Sequence, residues 1–308
     1  MKALTKASLG TLVLLVITYT YSTAQIVKPD TLSNWKKKTA FGLNFNQASF
    51  SSNWKGGGVN SIGFNGLFNH KANFSKGKNK WDNEIDLQYG FVNNAGQGMR
   101  KTLDRIYLDT KYGRDLSEKW SMFSSLNFLS QFAPGYNYTK DAAGIEVENI
   151  ISDIFAPAFF TAALGFEYKP VDYFKVRISP MAPRLTIVQD PTRFTQTVAP
   201  APYGVDSTGT TRFEWLAFQL TADFNKDVAK NINLKWRYML FANYETLEGK
   251  TIDHRLDLLL TAKVNRFFNV NLGGVLIYDF DQDDEVQLSQ LFNFGFSYSI
   301  QNYQEKKK

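Results

Sequence analysis

The stretch "LFNFGFSYSI", Leu291 to Ile300, places Phe292, Phe294, Phe296, Tyr298 and Ile300 at every second position, with only Asn, Gly and Ser between them. A period of two belongs to a β-strand and sets the rings on one face and the small polar groups on the other. The alternation begins after Lys38 and recurs in twelve segments, near 39–47, 60–74, 81–92, 104–113, 120–132, 159–169, 174–188, 213–224, 232–244, 253–264, 267–279 and 288–301. In the third, Trp81, Ile85, Leu87, Tyr89 and Phe91 oppose Asp82, Glu84, Asp86 and Gln88. In the ninth, Ile232, Leu234, Trp236, Tyr238 and Leu240 oppose Lys235 and Arg237. Such a chain is all-β, and its class turns on which solvent meets the apolar faces.

Length answers first. Most segments run to about 10–13 residues, against five or six in an ordinary soluble sheet. At about 3.4 Å per residue and a tilt near 40°, ten residues rise about 25 Å, the height of an outer-membrane apolar band. The connections "SKGKNK", "RDLSEK", "PVDY", "NKDVAKN" and "NRF" are short. They alternate with longer segments around Trp54–Gly58, at Asn93–Leu103, and near 133–158 and 189–212. A soluble lipocalin-like barrel would turn its apolar face inward, but this many rings would overfill a small interior. The polar faces are rich in Gly, Ser, Asn and Thr, which suit a crowded concave wall. A charge kept off a lipid-facing position avoids about 2–4 kcal/mol at mid-depth. An open edge in hydrocarbon would strand backbone N–H and C=O groups, so the sheet must close. The expected fold is a 12-stranded antiparallel transmembrane β-barrel of the bacterial outer membrane over 39–301, with both termini periplasmic.

The N-terminus reads as an export signal. Lys2 and Lys6 precede the apolar run Leu9–Val16, and Ser22-Thr23-Ala24 supplies a small-residue cleavage site before Gln25. The expected organisation is a signal peptide at 1–24, a periplasmic segment at 25–38, the barrel, and a periplasmic basic tail at 302–308. The net charge of +6 is not gathered into a basic stripe with interleaved aromatics, so no nucleic-acid partner is expected. With no cysteine there is no disulfide, thiol nucleophile, cysteine metal site or lipid anchor at the cleavage point.

The stretches 44–91, "RKTLDRIYLDTKYG" (100–113), "SQFAPGYNY" (130–138), "SPMAPRLTIV" (179–188), "LFANYE" (240–245) and "IYDFD" (277–281) resemble a family of exported Bacteroidota proteins known as a domain of unknown function. Its most specific pieces here are Asn53, Trp54, Gly57, Gly58 and Asn60, and "WDNE" at 81–84. The resemblance implies an outer-membrane barrel and carries no catalytic or ligand residue.

Chemistry is sparse. The two histidines, His70 and His254, fall by parity on the lipid face at opposite membrane levels, beyond the reach a shared dyad needs. No G-x-S-x-G stretch accompanies them, and neither a catalytic residue nor a cofactor is expected. The acidic turn Asp279, Asp281, Asp283, Asp284, Glu285 starts like a calcium loop but has Asp284 where glycine belongs and Gln290 where the closing glutamate belongs. It reads as a solvated loop, and no metal site is expected. Gly56–Gly58 is followed by no helix and reads as a tight bend.

The inward-facing charges are the candidate site. Asp82, Glu84 and Asp86 lie beside Arg105, Asp109 and Lys111; Lys175 and Arg177 lie between strands carrying Glu167 and Asp223; Lys235 and Arg237 neighbour Asp253, Arg255 and Asp257. They line a polar pore, or they brace the interior by cross-strand pairing. The first reading predicts a narrow passage for small hydrophilic solutes, without strong ion selectivity. The second predicts a non-conducting accessory subunit of an outer-membrane assembly, docking through its long loops at Tyr136/Tyr138 and Pro191/Pro200/Pro202. The remaining expected partners are outer-membrane lipid and lipopolysaccharide, met by the apolar wall and by Trp35-Lys36-Lys37-Lys38 at the periplasmic rim.

Overall fold

A computed structural model describes residues 33–49, 51, 59–194, 198, 201–206 and 208–303. The expected signal peptide, the glycine run 56–58 with Asn53 and Trp54, Pro200, and the tail from 304 onward lie outside the described residues.

The described residues form sixteen strands: β1 Trp35–Ala48, β2 Ser61–Lys76, β3 Asn79–Asn94, β4 Gly98–Asp115, β5 Trp120–Ser130, β6 Gly135–Lys140, β7 Glu146–Ser152, β8 Ala158–Val171, β9 Phe174–Met181, β10 Arg184–Ile187, β11 Thr211–Glu214, β12 Ala217–Ala229, β13 Ile232–Asn243, β14 Asp253–Lys263, β15 Phe268–Asp279 and β16 Asp283–Gln301. Twelve of them close into an antiparallel ring in the order β8-β5-β4-β3-β2-β1-β16-β15-β14-β13-β12-β9, and β9 returns to β8. The expected 12-stranded barrel is therefore the observed fold. The β1–β16 joint runs from Lys38↔Gln301 to Phe45↔Phe294. The β8–β9 joint is less regular, with its register shifting between Leu164 and Phe166 and again between Tyr168 and Val171.

Several segments differ from the sequence expectation, among them 213–224, which is divided between β11 and β12. The segment Asn93–Leu103 is no long loop: β3 and β4 extend into it and meet in a tight turn. Gly96 (φ +82°) and Gly98 (φ +71°) make that turn, in a left-handed conformation that costs glycine nothing. The segment 174–188 is two strands, because Pro180 and Pro183 offer no N–H to the ladder; β10 departs from β9 and pairs with β8 and β11. The segment near 133–158 carries the hairpin β6–β7, whose alternation is too short to register as strands in the sequence.

At the end of the barrel opposite the chain termini, the two long loops pack on each other. Phe194, Val198, Tyr203 and Val205 from the second loop are buried with Ala156 and Val188, and Ile150 and Ile151 of β7 pack against them. The Tyr203 hydroxyl donates to the Ile151 carbonyl, and Arg193 pairs with Asp153 at 3.0 Å. Burial pushes the Tyr203 phenol well above its ordinary value, with Asp279 adding to the effect. These contacts form a cap over part of the barrel mouth.

The faces follow the alternation. Phe41, Leu43 and Phe45 of β1, Leu126 of β5, Leu164 and Phe166 of β8, and Phe292, Phe294 and Phe296 of β16 are exposed on the outer wall. Toward the terminal end the outer wall carries a run of paired rings: Trp35 with Phe74 and Trp81, Trp120 with Tyr168, and Phe224 stacked on Trp236 at 5.6 Å. A second run lies toward the capped end, with Phe45 on Phe64, Tyr89 on Phe132, and Phe128 on Phe155 and Phe160.

Candidate functional site

Parity sends alternate residues of every barrel strand into the lumen, and there the charges meet as ion pairs. Arg177 of β9 reaches Asp109 of β4 at 3.3 Å and Asp223 of β12 at 3.7 Å. Arg237 of β13 donates to Asp223 at 2.6 Å and reaches Glu84 of β3 at 3.5 Å. Lys111 of β4 bridges Glu167 of β8 at 2.5 Å and Asp82 of β3 at 3.1 Å. Lys175 adds a contact to Asp223 at 3.8 Å, and Lys71 one to Glu84 at 3.2 Å. Asp109, Lys111, Glu167 and Arg177 are all buried.

The structure shows which of these charges pair with one another. Asp109 pairs across the lumen with Arg177 of β9. Lys235 and Arg237 do not pair with β14. Arg255 instead holds Asp257 of its own strand through two hydrogen bonds of 2.9 and 3.0 Å, while Asp253 is taken by Arg184 of β10 at 2.9 Å. Asp86 accepts from the amides of Asn69 at 2.9 Å and Gln88 at 2.7 Å. Arg105 and Lys235 have no hydrogen bond and no ion pair among the described residues.

Three participants escaped sequence reading. Lys71 shares its inward face with Asn69 and Asn73, and strand parity alone would have found it. Tyr107 stands on the polar face with Asp109 and Lys111, an aromatic among charges; it is 5% exposed, with Arg105 at 4.8 Å and Arg237 at 5.4 Å from its ring centroid. Arg184 lies with its guanidinium 3.2 Å from the Phe241 centroid and 5.5 Å from that of Phe159. Its signal is hidden because the sequence does not place the proline break before it.

The pairs divide the lumen. On the side of β4, β5, β8, β9 and β12, ion pairs and the buried Phe123, Ser125 and Ala163 fill the space, while Asn127, Thr161 and Gln219 of the same strands line a cavity. On the side of β1, β2 and β14–β16 a hollow of about 200 Å³ remains, lined by Asn44, Asn271 and Asn293, by Leu67, Leu259 and Leu291, and at its edge by Lys235 and Arg237. A second cavity, of about 330 Å³, lies under the cap and is walled by Phe159, Phe241, Arg184, Met239 and Tyr203. Arg105 and Tyr107 line both cavities.

The histidines sit on the outer wall as parity predicted. Thr39 Oγ1 lies 2.8 Å from His70 Nδ1, and the Tyr238 hydroxyl 2.7 Å from His254 Nδ1. Each therefore has a hydroxyl partner of its own. The acidic segment at 279–285 is the tight turn between β15 and β16, where Arg212 pairs with Asp281 at 2.5 Å.

No curated protein matches the chain. Among solved structures it is similar to the translocator domain of autotransporter NalP from Neisseria meningitidis, at 10% identity over 87% of this chain and 90% of that one with a TM-score of 0.34. It is also similar to the COG4313 outer membrane channel from Pseudomonas putida F1, at 9% identity over 87% and 96% with a TM-score of 0.38. The NanC porin aligns at 6% identity over 87% and 100% with a TM-score of 0.37. The barrel assignment stands on the strand pairing of this chain itself. A family described as "Protein of unknown function (DUF3078)" matches residues 45–136, the stretch that contains β2 to β5 and with them Glu84, Arg105, Tyr107 and Lys111.

Proposed function

We propose that the chain is an outer-membrane barrel that passes small water-soluble solutes along one side of its lumen. One observation carries the passage: two cavities inside the barrel share Arg105 and Tyr107 in their walls. The path runs from the capped mouth, past Arg105, and along the wall of β14–β16 toward the periplasm. Membrane residence is supported by the exposed rings of the outer wall and by the two aromatic runs that bound it, the arrangement expected where rings sit at both headgroup levels. The termini then lie in the periplasm, with Trp35 in the lower aromatic run.

The cap favours a second reading, a non-conducting accessory subunit whose loops dock a larger envelope assembly. The deciding experiment is single-channel recording from the refolded mature chain in a planar bilayer, beside a variant with the cap's second loop shortened between Val188 and Thr211. Steps in both, larger in the shortened variant, support the passage. Silence in both from demonstrably folded barrels rejects it in favour of the accessory role.

A further inference from the structure

The lumen of a membrane barrel is ordinarily polar, since it faces water. Here the inner hollow breaks that rule on one wall. Leu67 of β2, Leu103 of β4, Leu259 of β14, Val275 of β15 and Leu291 of β16 all line it. Leu259 remains 38% exposed, so it has no packing partner sufficient to cover it. An apolar side chain left open inside a barrel loses the free energy its burial would bring, about 25 cal/mol for each Å². The wall is also close-set: at Gly42 of β1 an added Cβ would come 3.2 Å from Leu67.

Facing the same hollow are Arg105 and Lys235, which make no hydrogen bond and no ion pair among the described residues, and the carboxylates of Glu84, Asp86 and Asp257 stand in the same lining. The acids around them are committed: Glu84 to Lys71 and Arg237, Asp257 to Arg255, and Asp86 to the amides of Asn69 and Gln88. Arg105 lies over the face of Tyr107, and its Nε is buried without an acceptor. A guanidinium in such a place favours a carboxylate, which it binds by charge-assisted and bidentate hydrogen bonds.

We infer that the hollow is a binding site for small amphipathic carboxylates, with the carboxylate on Arg105 and Lys235 and the hydrocarbon body along Leu67, Leu259 and Leu291. This rests on the passage reading, whose solute class it names. An open leucine wall and unpaired cations in one cavity of about 200 Å³ each supply what the other half of such a molecule requires. A neutral sugar would use neither, and an inorganic anion would leave the leucines uncovered.

The test uses the full mature chain in lipid nanodiscs and radiolabelled octanoate, with empty nanodiscs as the blank and a heat-shift gel to verify that each variant is folded. Octanoate is expected to bind saturably. Arg105→Gln should weaken it by about tenfold or more, the loss of a charged hydrogen bond. Leu259→Asn should weaken it several-fold, while octan-1-ol binding stays insensitive to Arg105→Gln. Equal octanoate binding by the wild type and both variants would overturn the inference, as would displacement by acetate at the same concentration as by unlabelled octanoate. Conductance of the same preparation separates the two readings. Current without saturable octanoate binding defeats the site and leaves the passage, whereas octanoate bound in a silent barrel upholds the site and defeats the passage.

Discussion

Glu84 and Arg237 approach to 3.5 Å although five strands lie between β3 and β13 in either direction round the ring. The pair spans the lumen, and Asp223 and Arg177 continue it to Asp109 on β4. Removing one member of such a buried set leaves the others uncompensated. Arg237→Met is expected to cost about 3–5 kcal/mol in unfolding free energy, and Glu84→Gln in the same background should restore some of that loss. Urea titration of the vesicle-inserted barrel measures both, and additive losses would show that the two side chains act independently.

Arg105 and Arg177 separate passage from bracing. Arg105 lines both cavities, while Arg177 is buried among its ion pairs and lines neither. Arg105→Glu should therefore change the conductance and shift the reversal potential toward cations in a salt gradient. Arg177→Ala should lower stability by a few kcal/mol with little change in single-channel current. Identical electrical effects from the two substitutions would place the path elsewhere.

The outer wall and the lumen differ by one residue in register. Phe294 is exposed on the outside and its neighbour Asn293 is buried inside. Phe294→Arg is expected to cost about 2–4 kcal/mol in vesicles, and Ser289→Arg on the lumen side of the same strand much less. The reverse order would mean that the apolar face does not meet lipid.

The Tyr203 phenol donates to Ile151 and has its acidity weakened by burial. Below about pH 10 the phenol is protonated in both the closed and the open cap, and its contribution is complete. As pH rises from there toward the raised value, the closed cap binds more protons than the open one, so closure weakens. Digestion by proteinase K near Arg193 should accelerate across that window. Tyr203→Phe should lose about 1 kcal/mol of cap stability at neutral pH and most of the alkaline acceleration.

Gly165 of β8 tests ring closure. A Cβ there would overlap the Ile178 carbonyl oxygen and stand 2.8 Å from the Ser179 Cα, both backbone atoms of β9 that cannot swing aside. Gly165→Val should fail to give a heat-shifting folded barrel. Gly66→Ala, whose Cβ would meet nothing nearer than 3.8 Å, should fold normally.

The ring was legible because lipid permits few alternatives: parity, strand length and the backbone's need for partners converge on one closed sheet. Inward charges such as Asp82 and Lys111 followed from the same parity. The partnerships of Asp109 with Arg177 and of Glu84 with Arg237 did not, because they join strands that are never neighbours and depend on barrel diameter and stagger. Leu259 was hidden inside the run Leu258-Leu259-Leu260, where alternation between apolar faces has no contrast. The hairpin β6–β7 projects beyond the ring, so no inside-outside pattern marks it.

The irregular joint between β8 and β9 has a mechanical meaning. A closed cylinder carries lateral tension around its hoop, and the hoop is only as strong as its weakest ladder. Two shifts of register interrupt this one, so its rungs do not share a load evenly. The lumen charges act as ties across that seam. Arg177 anchors β9 to Asp109 on β4, and Lys111 on the same strand anchors Glu167 of β8. Tension that would open the seam is thereby passed to β4, whose ladders with β3 and β5 are long. The ion-paired part of the lumen is, in this sense, the stiffened part of the cylinder.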